Sequence, residues 1–226
     1  MKKLVVLTGA GISAESGIKT FRDMGGLWEE FDIMEVASPI GWNKNPELVL
    51  KFYNDRRKQL EHCEPNFGHI GLKELEQNFN VHIITQNVDN LHERAGSKHV
   101  LHLHGELTKV ESTKYPQLIS EIGYKEIKLG DKCEKGFQLR PHIVWFGEAV
   151  PALEDAIKIA RTADIFVVIG TSLNVYPAAS LIDYVPNGSP IYLIDPNEVH
   201  THRKVTFIKE NASVGVGKLM KILRKF

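Results

Sequence analysis

Three short stretches place polar side chains directly after apolar runs, where a folded chain can do chemistry. "LTGAGISA" carries Gly9, Ala10, Gly11 and Ser13 as a G-x-G-x-x-A turn. Glycines at this spacing let backbone N–H groups approach a pyrophosphate, and a following helix N-terminus favours the negative charge. A tight turn with no ligand has the same pattern. "TQNVDNL" sets Gln86, Asn87 and Asp89 past a second run; they can satisfy hydroxyls and a carboxamide, or cap the next helix as an Asx turn. "GTSLN" sets Gly170, Thr171 and Ser172 past a third, as a phosphate or ribose contact or as an N-cap.

His102 and His104 flank Leu103 in "HLHG". Two histidines two residues apart suggest a metal, yet no third ligand stands nearby in the sequence. His104, just before Gly105, is the better general-base candidate because imidazole titrates near neutrality. A hydrogen-bonded structural histidine is the alternative. In "KFYNDRRKQL", Tyr53 and Arg56 stand at i, i+3 and share one helix face. Alone, that pair reads as an aromatic core contact beside a solvated basic flank.

The elements that must position these residues follow from hydrophobic pattern. Residues 3–8, 81–85, 164–170 and 190–195 are apolar, β-branched and without period-2 alternation, as in parallel strands covered on both faces. A fifth run, 99–105, alternates His with apolar residues. Helical patterns occupy 46–61, 68–78, 151–161, 177–184 and 215–224. Strand and helix alternate, which predicts a doubly wound α/β sheet. The intervals after the first run and over 106–140 exceed the dozen or so residues a crossover needs. They read as insertions building a small lobe from 29–79 and 107–139, leaving 1–28, 80–106 and 140–226 for the sheet. An ordinary dehydrogenase would place an acidic strand end about 20 residues after the glycines. "WEEFDI" at 28–33 supplies none, so hydride transfer lacks support, while Asp195 stands at a later strand end for a ribose.

Composition excludes several classes. Twenty-eight basic residues balance twenty-eight acidic ones, so charge points to neither nucleic acid nor anionic membrane. At 42 % hydrophobic and 25 % charged, the chain has an ordinary globular composition. No apolar run reaches the roughly 18 residues of a bilayer span. "MKKLVVLTGAG" reads as a first core strand, not a signal peptide. Cys63 and Cys133 cannot build a disulfide framework or a tetrathiolate site. A reduced, cytoplasmic, monomeric protein is expected.

"GAGISAESGIKTFRD", "TQNVDNLHERAG", "HLHGEL", "RPHIVWFGE" and "GTSLNVYPAA" together resemble the sirtuins, the NAD-dependent protein lysine deacylases. The matches run in the family's order over nearly the whole chain. The resemblance implies a Rossmann-like domain with a small lobe and NAD as consumed co-substrate. Gly9 to Arg22, including Glu15, Thr20, Phe21 and Arg22, would wrap the pyrophosphate and nicotinamide ribose, with Trp28 nearby. Gln86, Asn87, Val88 and Asp89 would surround the nicotinamide end, with Asn87 and Arg22 sharing in catalysis. Gly170, Thr171 and Ser172 would contact phosphate and adenosine; Leu193, Ile194, Asp195 and Ala212 would hold the adenosine half. In that chemistry the acyl oxygen attacks the ribose, nicotinamide leaves, and His104 activates a ribose hydroxyl against the resulting alkylimidate. Val144, Phe146, Gly147 and Glu148 match the edge that pairs with a substrate peptide.

Tyr53 and Arg56 match the branch whose acyl pocket pairs a guanidinium with a distal carboxylate, so succinyl- and malonyl-lysine are expected substrates beside acetyl-lysine. Most sirtuins also hold a zinc through two cysteine pairs. Here Glu111, Ser112 and Lys114 stand where the first pair belongs, and Gly136 replaces the partner of Cys133. No zinc is expected. An ADP-ribosyltransferase or NAD glycohydrolase on the same scaffold, or a silent NAD-binding sensor, remains open from sequence.

Overall fold

The computed structural model describes residues 1–19 and 31–225. Among these residues nine strands run in the order β1 (Lys3–Thr8), β2 (Asn80–Thr85), β3 (Val100–His102), β4 (Gly105–Ser112), β5 (Ile119–Glu121), β6 (Leu139–Ile143), β7 (Ile165–Ile169), β8 (Ile191–Ile194) and β9 (Thr206–Ile208). Among the described residues they form a six-stranded parallel sheet, β3-β2-β1-β7-β8-β9, and a three-stranded antiparallel sheet, β5-β4-β6.

The large sheet is apolar on both sides because both sides are covered. Leu4 and Val6 of β1 pack with Val167 and Ile169 of β7 against helices α5 (Phe67–Leu75) and α8 (Ala212–Leu223). Val5 and Leu7 point the other way, with Phe166 and Val168, toward α7 (Leu153–Ala160) and a 3₁₀ helix, Ala178–Tyr184. This is the doubly wound arrangement that the unbroken apolar runs require. Strand order reverses between β1 and β7, and the crevice at their carboxyl ends is where open α/β sheets bind ligands.

The expected strand over 99–105 is split. β3 ends at His102, and Gly105, with φ of 80°, turns the chain into β4 of the other sheet. A Cβ at Gly105 would lie 2.1 Å from the His142 carbonyl, so only glycine allows this junction. β6, at 139–143, likewise pairs with β4 and belongs to the small sheet rather than starting the large one.

Helices α1 (Gly11–Ala14), α2 (Ile33–Val36), α3 (Pro39–Lys44), α4 (Pro46–Glu61) and α6 (Leu91–Arg94) complete the described helices. Asn45 caps α4 by accepting from the Leu48 N–H at 3.1 Å, with Pro46 in the first turn. The buried stripe of α4 joins Val49, Phe52, Tyr53 and Leu60 to Leu107, Ile143 and Trp145 of the small sheet and the segment after it. Two arginines, Arg56 and Arg57, also lie in that stripe.

Hydrogen bonds do much of the stapling in this lobe. Asn54 donates to the Ile127 carbonyl at 2.9 Å and accepts from its N–H at 3.0 Å. It also accepts from Arg57 at 2.6 Å, while Arg57 Nε donates to the Leu107 carbonyl at 2.7 Å. Where the resemblance would put zinc cysteines, Cys133 donates its S–H to Ser112 Oγ at 3.3 Å. Glu111 bonds His142 Nδ1 at 2.6 Å and lies 3.4 Å from Arg140. Tyr115 and Phe137 meet edge to face, with Lys114 over the Phe137 ring. Among the described residues no group of three or more His, Cys, Asp or Glu side chains is arranged to hold a metal ion. None of their helices is long and apolar enough to cross a membrane.

Candidate active site

Three glycines meet at the crevice. Gly9 donates to the Ile169 carbonyl at 3.0 Å and Gly11 to the Gly170 carbonyl at 2.9 Å, locking the turn after β1 onto the end of β7. A Cβ on Gly9 would lie 2.7 Å from the Gly170 oxygen; one on Gly11 would lie 2.6 Å from the Gly170 Cα. Gly170 itself has φ of 63°. The glycines are therefore required by backbone approach, which brings the two turns together at the rim of an open cleft.

That cleft is a cavity of about 590 Å³ lined from four strand ends and from the small lobe. Gly9, Ala10, Gly11 and Glu15 line it from the first turn, Gln86, Asn87 and Val88 from β2, Gly170, Thr171 and Ser172 from β7, and Ile194 and Asp195 from β8. Ala212 reaches it from α8, and Tyr53, Arg56, Val144, Phe146, Gly147 and Glu148 from the small lobe. Leu193 does not: it is fully buried in the core on the far face of β8, because its neighbour Ile194 takes the cleft-facing side. Thr20, Phe21, Arg22 and Trp28 lie outside the described residues. Glu15 also serves the fold, since its carboxylate accepts the Ser213 N–H at 2.9 Å and caps α8 where Asn211 does not.

His104 lines the same cavity. Its Nδ1 lies 3.1 Å from the Gln86 carbonyl. A carbonyl can only accept, so Nδ1 carries the hydrogen and the Nε2 lone pair is left for a proton. Burial lowers the His104 pKa from the ordinary 6.5, opposed by that carbonyl, so the ring is neutral at pH 7. His102 is engaged at both nitrogens, 2.9 Å from the Asn87 carbonyl and 2.9 Å from Glu93. Burial disfavours its cation, but the Glu93 hydrogen bond and charge outweigh burial and raise its pKa. It is a structural histidine that positions Asn87.

Ser13 and Asp89 line a small recess of about 20 Å³ that shares Ala10, Arg56, Asn87 and Val88 with the main cavity. The Asn66 N–H donates to His69 Nδ1 at 3.3 Å, so His69 Nε2 is the protonated nitrogen and donates to Ser13 Oγ at 3.4 Å. Asn87 Nδ2 also donates to Ser13 Oγ, at 3.1 Å, and to the Gly9 carbonyl at 3.1 Å. The Ser13 hydrogen is thereby committed to Asp89 Oδ2, at 2.9 Å. Burial raises the Asp89 pKa against the Leu91 N–H and Ser13 bonds. Below this layer Thr8 bonds Thr85 at 2.8 Å and His92 at 3.1 Å. Sequence reasoning named Ser13, Asn87 and Asp89 but missed His69, His92 and Asn66. Asn66 ties the turn down by donating to the Ile12 carbonyl at 2.7 Å and the Ser16 hydroxyl at 2.9 Å.

On the opposite wall, Tyr53 is buried and its phenol pKa is pushed up to about 12, mainly by that burial. Trp145 Nε1 donates to its oxygen at 3.1 Å. Arg56 sits one turn on, its guanidinium 5.5 Å from the Phe52 ring centre. Glu148 is not free for a ligand: it forks onto Arg140 at 2.8 and 3.1 Å and accepts the Trp145 N–H at 2.7 Å. The wall is completed by the Val144 N–H bonded to the His104 carbonyl at 3.0 Å, and by Phe146, whose N–H reaches the Ala37 carbonyl at 2.9 Å. Ala37, Trp145, Asn197 and Asn211 line the cavity without having been singled out from sequence.

The Sir2 family model matches residues 9–177. The chain belongs to the Sir2 family. Proteins named NAD-dependent protein deacylase are similar to it: one from Bacteroides thetaiotaomicron is 59 % identical over 99 % of this chain and 98 % of its own length. Another, from Helicobacter pylori, is 56 % identical over 97 % of this chain and 96 % of its own. A solved complex of a Sir2 homolog with NAD superposes with a TM-score of 0.90 at 42 % identity, covering 99 % of this chain and 90 % of the other. A Sir2 structure bound to acetylated peptide gives 0.82 at 29 %, covering 98 % and 93 %. Within the Sir2 frame, the six-stranded sheet and antiparallel small lobe are the architecture that the sequence resemblance implied.

Proposed function

We propose that this chain is an NAD-dependent protein lysine deacylase whose acyl pocket takes succinyl and malonyl groups as well as acetyl. The observation that carries it is one cavity holding three things at once: a glycine cradle, a neutral His104 with Nε2 available, and the Tyr53–Arg56 pair. The cavity volume falls within the ~300–1,000 Å³ typical of small-molecule sites. The residues present fit NAD, because the glycine turn, Thr171, Ser172 and Asp195 line one end of an elongated cavity whose other end holds Gln86, Asn87 and His104. The names of the two relatives described above support the NAD-dependent deacylase reading.

Bound NAD would supply an acyl acceptor, its nicotinamide-bearing ribose taking the acyl group as nicotinamide departs, with one water consumed to leave free lysine and acylated ADP-ribose. The turn Gly9–Gly11 and the Gly170–Ser172 segment would hold the phosphates and adenosine side, with Ile194, Asp195 and Ala212. Ser13, Asn87 and Asp89, fixed by His69 and His102, would orient the carboxamide end, with Gln86 and Val88 beside them. His104 Nε2 would take a hydroxyl proton, a role suited to a group titrating near neutrality. The 144–148 segment would pair with the substrate peptide by strand addition. Arg56 would face an acyl carboxylate, a charge-assisted contact worth roughly twice a neutral one.

The test is turnover of acetyl-, malonyl- and succinyl-lysine peptides with and without NAD, following both nicotinamide and deacylated peptide. Stoichiometric release of the two supports the deacylase. Nicotinamide release with ADP-ribosylated protein, or with no peptide product, would point to ADP-ribosyl transfer or NAD hydrolysis instead. No release at all would leave a binding protein.

A further inference from the structure

The reading of Tyr53 as an acyl-pocket residue raises a question of direction, because a phenol hydroxyl can donate or accept. Only as a donor does it help hold a carboxylate, whose oxygens accept. Something must keep its hydrogen aimed at the cavity.

Trp145 supplies that constraint. An indole N–H is a donor and nothing else, and Nε1 lies 3.1 Å from the Tyr53 oxygen. Among the described residues it is the hydroxyl's one hydrogen-bond partner. The Tyr53 oxygen is thus engaged as acceptor, and its own hydrogen is left to point elsewhere. Trp145 is itself held in place: the Arg140 guanidinium sits 3.4 Å from its ring centre, and the Trp42 ring stands 5.7 Å away. Glu148 grips both the Trp145 N–H and Arg140, so backbone and ring are fixed by one carboxylate. Arg140 is in turn 3.4 Å from Glu111 on β4. Burial keeps Tyr53 a protonated phenol, and so a donor, across the working pH range.

We propose that Trp145 is a specificity-determining positioning residue: by occupying the Tyr53 oxygen, its indole N–H commits the Tyr53 hydroxyl hydrogen to the distal carboxylate of a dicarboxylic acyl group. This rests on the pocket reading above and goes beyond it by naming what sets the phenol's polarity. An acyl chain without a carboxylate gains nothing from that orientation, so the effect falls on discrimination.

The experiment compares kcat/KM for succinyl- and acetyl-lysine peptides in Trp145→Phe and in a variant with β-(3-benzothienyl)alanine at 145, which replaces the N–H by sulfur in a ring of the same shape. Both should lower the succinyl-to-acetyl ratio by about 5- to 10-fold, seen mainly in KM for the succinyl peptide, the scale of one ordinary net hydrogen bond. In a Tyr53→Phe background the same changes should alter the ratio by less than about 2-fold, because the hydroxyl they act through is gone. A ratio that does not move in the benzothienyl variant overturns the proposal, as does an equal fall with and without the Tyr53 hydroxyl. If the wild-type chain shows no Arg56-dependent succinyl turnover, the pocket reading itself fails and takes this inference with it.

Discussion

Gly11 donates its backbone N–H to the Gly170 carbonyl at 2.9 Å, so the two chain turns that frame the cleft touch main chain to main chain. A Cβ at Gly170 would lie 2.4 Å from the Ile12 nitrogen, and its φ of 63° is unfavourable for any other residue. Gly170→Ala should destabilise the protein by about 2 kcal/mol or more, from backbone strain plus the forced separation of the turns. Titration with NAD should show affinity falling at least as steeply as stability. A variant that melts and binds like wild type would mean that the turns have room to part.

Neutral His104 predicts the acid limb of activity. Since burial lowers its pKa below 6.5, the base stays unprotonated through the usual imidazole range and is lost only at lower pH. The kcat/KM profile for an acetyl peptide should therefore hold down to about pH 6.5 and fall below it, and His104→Tyr should abolish turnover. An acid limb centred above 7 would contradict the assignment.

Arg56→Met should cut kcat/KM for succinyl and malonyl peptides by about 10- to 100-fold relative to acetyl, since a charge-assisted contact is exchanged for none. Peptide kinetics before and after the change decide it. An unchanged succinyl-to-acetyl ratio would remove Arg56 from the pocket.

His69 makes stability pH-dependent in a defined window. Burial lowers its pKa from 6.5 to about 4, so between those values the unfolded chain binds a proton that the folded one does not. Stability is full above 6.5 and declines as pH falls toward 4, by about 3 kcal/mol from this group. His92, also lowered by burial, adds in the same direction. Urea unfolding of wild type and His69→Gln from pH 7.5 to 4.5 should show a shallower slope in the variant. Parallel curves would assign the slope to other groups.

Dialysis against a chelator should leave substoichiometric zinc and an unchanged melting temperature. Asn54→Ala should instead destabilise by about 1–3 kcal/mol, because it strands the Ile127 N–H and carbonyl and a buried Arg57 donor. One equivalent of tightly held zinc would overturn the first expectation.

Much of the architecture was legible because strand burial leaves a local mark. Leu4 to Leu7 are apolar without alternation, and the polar residues that follow mark the carboxyl end. The site was legible where backbone approach demands glycine. What escaped were partnerships over long separations: Asn54 with Ile127, Ser13 with His69, Tyr53 with Trp145. A lone polar residue on a helix has no local signature of which distant group it satisfies. The break at Gly105 escaped for a related reason, since the alternation of 99–105 continues smoothly while the clash that forbids a straight strand comes from His142.

The cap that Glu15 places on the Ser213 N–H joins residues 198 positions apart, beside a cavity edged by Gly9 and by Ala212. A nascent chain emerging from the ribosome makes the first of these long before the second. The face of the central strand carrying Leu4 and Val6 gains part of its cover early, from α5, and the rest only when α8 has been made. A chain cut short just before Ala212 would keep the nucleotide turn yet lose both the Glu15-capped helix behind it and one edge of the cavity.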